Sequence, residues 1–234
     1  MNRLVWAVLT GVLLTAPGVA ACSRNSDGTA LPATEAVTST SITNTTTASA
    51  TTSTDAPESS EPGVVETTRE QVAPNAVVCP PPTSAQTAVA AASDPAAPRI
   101  TVALPDGWSS AGGSGDVGAR LSGSAGMVAE VTIAPTELDA AAAFTRYSDD
   151  AMAKYPISTL SMLPAELCGY SGQKMMGTWA DNPDRSVEYT DRIVHIWTNA
   201  RDYLVSIHVQ APSGTPGFDA AAAVLVGDFG IVIP

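Results

Sequence analysis

Apolar and polar positions alternate through much of the chain after residue 99, and the alternation marks strands. Ile100 to Leu104 alternates and stops at Pro105-Asp106-Gly107, a turn sequence. Val117 to Leu121 and Met127 to Ala134 flank Ser122 to Gly126, which predicts a hairpin. Further strands are predicted over Ile157–Leu163, Gly169–Trp179, Ser186–Thr198 and Tyr203–Gln210, with a last one at Ile231 to Ile233. The period changes to 3.6 in two places. Glu137 to Tyr155 puts Ala141, Phe144, Ser148, Ala151, Met152 and Tyr155 on one face. Thr136 and Asp139 have capping spacing there, and Pro156 is a stop. Pro216 to Phe229 carries a stripe of Phe218, Ala221, Ala222, Leu225 and Phe229. A weaker helix is predicted over Ala85 to Ser93, with little but alanine to bury.

The pattern therefore predicts an α+β fold, a curved antiparallel sheet of about six strands flanked by helices. Its best hairpin joins Ser186–Thr198 to Tyr203–Gln210 through Asn199-Ala200-Arg201-Asp202. Pairing Thr198 with Tyr203 places Val194, Ile196, Val205 and Ile207 on one face. Ile193, His195, Trp197, Leu204 and His208 share the other. Both faces hold apolar residues, so both are expected to be at least partly covered.

The N-terminal region reads differently. Arg3 precedes an apolar run from Val5 to Ala21, closed by Val19-Ala20-Ala21-Cys22. That order predicts a signal peptide over 1–21. It resembles a bacterial lipobox, in which the cysteine receives a diacylglycerol and becomes the first residue. Cys22 is the expected lipidation site, and the expected location is the outer face of the cell membrane. Ser23 to Arg99 contains no aromatic residue, and Thr38 to Thr54 holds 13 Ser or Thr in 17 positions. Such a segment buries too little to offset its ordering entropy. A disordered, lipid-anchored stalk is predicted over 22–78, followed by a Pro/Ala-rich segment at 79–99 tied to a domain at 100–234.

Charge narrows the partners. The chain carries a net charge of −12, and loss of 1–21 removes Arg3 and no acid, leaving −13. Phosphate polymers are repelled by such a chain, so nucleic acid is excluded as a partner. The expected partners are the membrane, through the anchor, and envelope proteins or an amphiphilic lipid. Once Cys22 is lipidated, Cys79 and Cys168 are the remaining thiols. Outside the cytoplasm they are most simply a disulfide, which ties the Pro-rich segment to the domain.

Candidate chemistry is sparse. Gly113-Ser114-Gly115-Asp116-Val117-Gly118 spells G-x-G-x-x-G, but a strand follows it where a dinucleotide site needs a helix. Gly169-Tyr170-Ser171-Gly172 lacks the last glycine of a nucleophile elbow, since position 173 is Gln173. His195 and His208, diagonal neighbours in the register above, have no third ligand at metal spacing, so neither metal nor cofactor is expected. Together with Trp197 and Leu204 they form the candidate ligand-binding face. No serine, histidine and acid set supports catalysis.

The lipobox, the Thr/Ser-rich stalk, "ITVALPDGW" at Ile100–Trp108, the helix "AAAFTRYSDDAMAKYP" and the strand "YLVSIHVQAP" resemble the LpqN/LpqT family of mycobacterial lipoproteins. The resemblance covers about residues 98–234. It implies a Mog1/PsbP-like domain and a non-catalytic envelope protein, acting as a tethered binding or adaptor module or as a carrier or sensor of an amphiphilic lipid. It brings no catalytic residues with it.

Overall fold

Residues 61–182 and 185–234 are described by a computed structural model. The expected signal peptide, Cys22 as the expected lipidation site and most of the expected stalk lie outside them. In chain order, β1 (Ala76–Cys79), β2 (Thr87–Ala90), β3 (Arg99–Ala103), β4 (Ser109–Gly112), β5 (Val117–Ser122) and β6 (Val128–Thr136) precede α1 (Ala140–Ala153). Then come β7 (Ile157–Pro164), β8 (Gly172–Asn182), β9 (Arg185–Trp197), β10 (Asp202–Pro212), α2 (Phe218–Leu225) and β11 (Gly230–Ile233). The fold is α+β and its pairings are antiparallel. The main sheet has seven strands in the order β4-β5-β6-β10-β9-β8-β7. Beside it stands a four-stranded sheet, β1-β11-β3-β2.

The second sheet accounts for two of the strands that the sequence pattern missed, β1 and β2; the third, β4, is an edge of the main sheet. Thr87–Ala90 is a strand, where a helix over Ala85 to Ser93 was predicted. Its alternation is real but carried by small residues: Ala88 and Ala90 are buried, and Val89 faces out. Pairing with β3 supplies what alanine propensity alone does not.

The main core lies between the two sheets. Ile100, Val102, Ile231 and Ile233 from the small sheet join Val131, Ile133, Val194, Ile196, Val205 and Ile207 from the large one, and Phe218, Leu225 and Phe229 close one side. Each such side chain, fully buried, contributes roughly 1.5–3 kcal/mol. The apolar face assigned to β9 and β10 is thus the core face. The stripe of the second helix is buried as expected, although the helix ends at Leu225 and Phe229 follows it.

The opposite face of the large sheet carries α1. Ala140 and Phe144 pack there on Met175 and Ile193. The cap is Asp139, whose carboxylate accepts from Ala142 N–H, while Thr136 Oγ1 accepts from Leu138 N–H. The helix starts at Ala140, and the face that packs on the sheet is Ala140, Ala143, Phe144 and Ser148. Met152 is exposed.

The stalk boundary moves back from Val78: residues 61–78 belong to the domain. Ser171, fully buried, accepts from Val65 N–H and donates to Val65 C=O, both at 3.0 Å. Gln173 donates to Pro62 C=O at 2.8 Å. Asn199 accepts from Val72 N–H at 3.0 Å and donates to Val72 C=O at 2.9 Å. Arg69 bonds Asp202 at 2.9 Å. This strap crosses the sheet near the starts of β8 and β10 before entering β1. Gly63 permits the close approach, since a Cβ there would sit 2.0 Å from the Gly172 carbonyl oxygen. Just beyond the strap, Cys79 and Cys168 form a disulfide with Cα atoms 5.7 Å apart.

Candidate functional site

The β9–β10 ladder runs two residues out of the predicted register. Trp197, not Thr198, closes it, opposite Asp202. Thr198 turns the chain early: its hydroxyl accepts from Ala200 and Arg201 N–H, and it donates to Arg201 C=O at 2.9 Å. A shift of two keeps every side chain on its predicted face but changes every partner. His195 now faces Leu204, and His208 faces Asp191. The two histidines are therefore not diagonal neighbours.

Each candidate residue consequently has its own setting. His195 is buried, and its Nε2 meets the Leu138 carbonyl oxygen at 3.0 Å. That oxygen can only accept, so the proton is on Nε2. Trp197 is half-buried beneath Arg69, whose guanidinium carbon is 5.7 Å from the ring centroid. Leu204 packs partly buried against the α1 cluster. Strap and helix thus pack over these three, with His195 lining a cleft between strap and helix, while His208 borders a different, half-open groove.

Around His208 the side chains form a connected system. Its Nδ1 lies 2.5 Å from Asp191 Oδ1, and Asp191 is 2% exposed. Tyr147 of α1 donates to the other Asp191 oxygen at 3.1 Å. Gln210 Oε1, two residues along β10, lies 3.2 Å from His208 Nε2. Trp179 stacks on the imidazole at 5.2 Å and on Tyr189 at 4.4 Å. Lys154, just past α1, holds its ammonium 4.5 Å from the Trp179 ring centroid.

Electrostatics follow from this packing. Burial alone would lower the pKa of His208, but the hydrogen bond and charge of Asp191 outweigh it, helped by Gln210 and opposed by Lys154. The net direction is upward. Tyr147 is pushed well above its ordinary value, first by burial and then by the Asp191 charge, so it stays a donor. Burial and then the same charge push Tyr189 up to about 12.

The imidazole borders a half-open groove of about 380 Å³, with Arg120, Glu130, Lys154 and Gln210 around it and Val128 on its apolar wall. Arg120 reaches Glu130 at 3.3 Å. Among the described residues, no three His, Cys, Asp or Glu side chains converge as a metal site. The G-x-G-x-x-G loop lies in the turn between β4 and β5 and leads into a strand.

Comparison with known proteins gives little beyond this. No family model matches the chain, and no curated protein sequence does. Among solved structures, the chain is similar to the "Crystal structure of LpqN involved in cell envelope biogenesis of Mycobacterium tuberculosis". The identity is 18% over 63% of this chain and 91% of that chain, with a TM-score of 0.49. A likeness so distant transfers nothing of LpqN's biology. Among the described residues, no helix is long and apolar enough to cross a membrane.

Sequence reasoning found His208; of its companions it left Asp191 unplaced on the neighbouring strand and missed Tyr147, Lys154 and Arg120. Asp191 was within reach, because the correct register pairs it with His208 directly.

Proposed function

We propose that this chain is a non-catalytic binding module of the cell envelope, held to the membrane through Cys22, and that its groove takes the anionic group of an amphiphile. One observation carries the reading. Both ring nitrogens of His208 face oxygen acceptors, Asp191 on one side and Gln210 on the other. With the Gln210 oxygen turned to the ring both nitrogens donate, and the Asp191 carboxylate raises the His208 pKa, so the setting favours the imidazolium over a free base.

Catalysis would require the reverse arrangement. A general base needs a lone pair beside a hydroxyl or thiol, whereas the Nε2 position is occupied by an amide oxygen. The other nucleophile candidate, Ser171, is fully buried and spends its one donor on Val65, from which it also accepts. Lys154 and Arg120 line the groove with one carboxylate, Glu130, which pairs with Arg120, so the lining keeps an excess of positive charge on an acidic chain. Val128 offers contact for an acyl segment, and the polar groups fix orientation. The lipobox and the family resemblance support the envelope location. The acidity supports a role apart from nucleic acid.

The test uses residues 22–234 carrying Cys22→Ser, titrated with dihexanoyl phosphatidylglycerol below its micellar threshold. NMR resonances of His208, Lys154 and Arg120 should shift, and dihexanoyl phosphatidylcholine should not shift them. His208→Gln should weaken binding about tenfold, the equivalent of about 1.4 kcal/mol. Equal responses to the two lipids, or none to either, would reject the anionic site. Turnover of a p-nitrophenyl ester that is abolished in His208→Gln would reject the non-catalytic reading.

A further inference from the structure

Of the sheet edges among the described residues, β7 is the one left unprotected. It borders the seven-stranded sheet, and among the described residues no strand pairs with its outer side. Exposed edges normally carry charge, proline or a bulge, or are kept very short, because a free row of N–H and C=O groups templates further pairing. The opposite edge of the same sheet follows that rule: β4 has four small residues, Ser109–Gly112. In the small sheet, edge strands β1 and β2 are four residues each. β7 has eight, Ile157–Pro164, with no charged side chain and proline only at its end. Ile157, Met162 and Leu163 are 46%, 41% and 51% exposed.

We infer that the outer edge of β7 is a self-association surface, on which a second copy of this chain pairs antiparallel to make one continuous sheet. The side-chain pattern favours a copy of the same strand over other occupants. The β8 register puts Ser158, Leu160 and Met162 on the face that carries Met175. Ile157, Thr159, Ser161 and Leu163 lie on the other face. Cross-strand partners must share a face. A two-fold axis through Leu160 meets that condition at every position. It sets Ile157 against Leu163 of the second copy, Ser158 against Met162, Thr159 against Ser161, and Leu160 against itself. Apolar residues meet one another at both ends and at the centre, and the closed two-fold pairing cannot propagate into a fibre.

Charge supports the same occupant. Two copies of a chain with net charge −12 repel overall. Their contact therefore belongs where neither presents charge, and β7 is such a strip. A segment of the chain's own N-terminal region suits the edge less well. Residues 54–60 read Thr-Asp-Ala-Pro-Glu-Ser-Ser, with two acids, a proline and no large apolar side chain. The surface is distinct from the His208 groove, so its test is independent of the function proposed above.

Sedimentation equilibrium on residues 22–234 carrying Cys22→Ser should show a reversible dimer with Kd below about 1 mM. Ile157→Lys and Leu163→Glu should each abolish it while leaving the melting curve unchanged, because both positions face solvent. The double variant should restore the dimer, since the inferred register places each lysine opposite a glutamate of the second copy. Three results would overturn the inference. One is a wild-type chain that stays monomeric up to about 1 mM. Another is a dimer indifferent to both single substitutions. The third is a monomer whose β7 edge amides are protected from hydrogen exchange, because the chain itself would then cover the edge.

Discussion

His208 is a pH-dependent element of the fold as well as of the groove. Its folded pKa is raised above the unfolded value, because Asp191 outweighs the cost of burial. The stability it contributes is therefore fully present below about pH 6.5, the unfolded value, and is lost as pH rises through the folded one. Urea denaturation at pH 5.5 and 8.5 should show wild type losing more stability across that interval than His208→Gln. Asp191→Asn should reverse the shift. With the carboxylate charge gone, burial dominates, and an NMR titration should place His208 below its ordinary value. Tyr147→Phe removes one donor from a buried carboxylate and should cost about 1.5–3 kcal/mol in the same denaturation assay.

At the scale of elements, the strap has the most specific chemistry, and it rests on two side chains. Ser171 and Asn199 each hold one strap residue by both its N–H and its C=O. Ser171→Ala leaves the Val65 groups without their partner and should cost about 1–3 kcal/mol locally. Trypsin should then cut after Arg69 faster than in wild type, with the rest of the domain intact. None of this was legible in the sequence, because the strap has no periodicity and its partners are more than 100 residues away. Periodicity revealed other parts, though not the alternation of β2 or the full buried face of α1. The alternation of β9 and β10 assigned each side chain to its correct face, and the stripe of α2 identified its buried residues. The pairing of His208 with Asp191 was hidden by a different kind of information, the hydroxyl of Thr198 closing a turn one residue early. Faces follow from parity along one strand, but partners depend on the turn.

Taken whole, the molecule is two sheets cross-connected where the strap ends. The Cys79–Cys168 bridge joins β1 of the small sheet to the loop between β7 and β8 of the large one. Closing a loop with a sequence separation of 89 residues contributes about 4–5 kcal/mol in the chain-entropy account. The double variant Cys79→Ser/Cys168→Ser should lose about 2–5 kcal/mol of unfolding free energy in urea. The bridge has a mechanical consequence as well. Tension applied from the N-terminal side would load the strap first, breaking its bonds in turn from Pro62 towards Val72, like a zipper opened from one end. The extension would then stop at Cys79, where force passes covalently into the loop between β7 and β8. About 60 Å of slack is released before that point. In an optical trap pulling from the N-terminus, the oxidised chain should yield that short step and then hold, and the reduced chain should run straight on into the sheet.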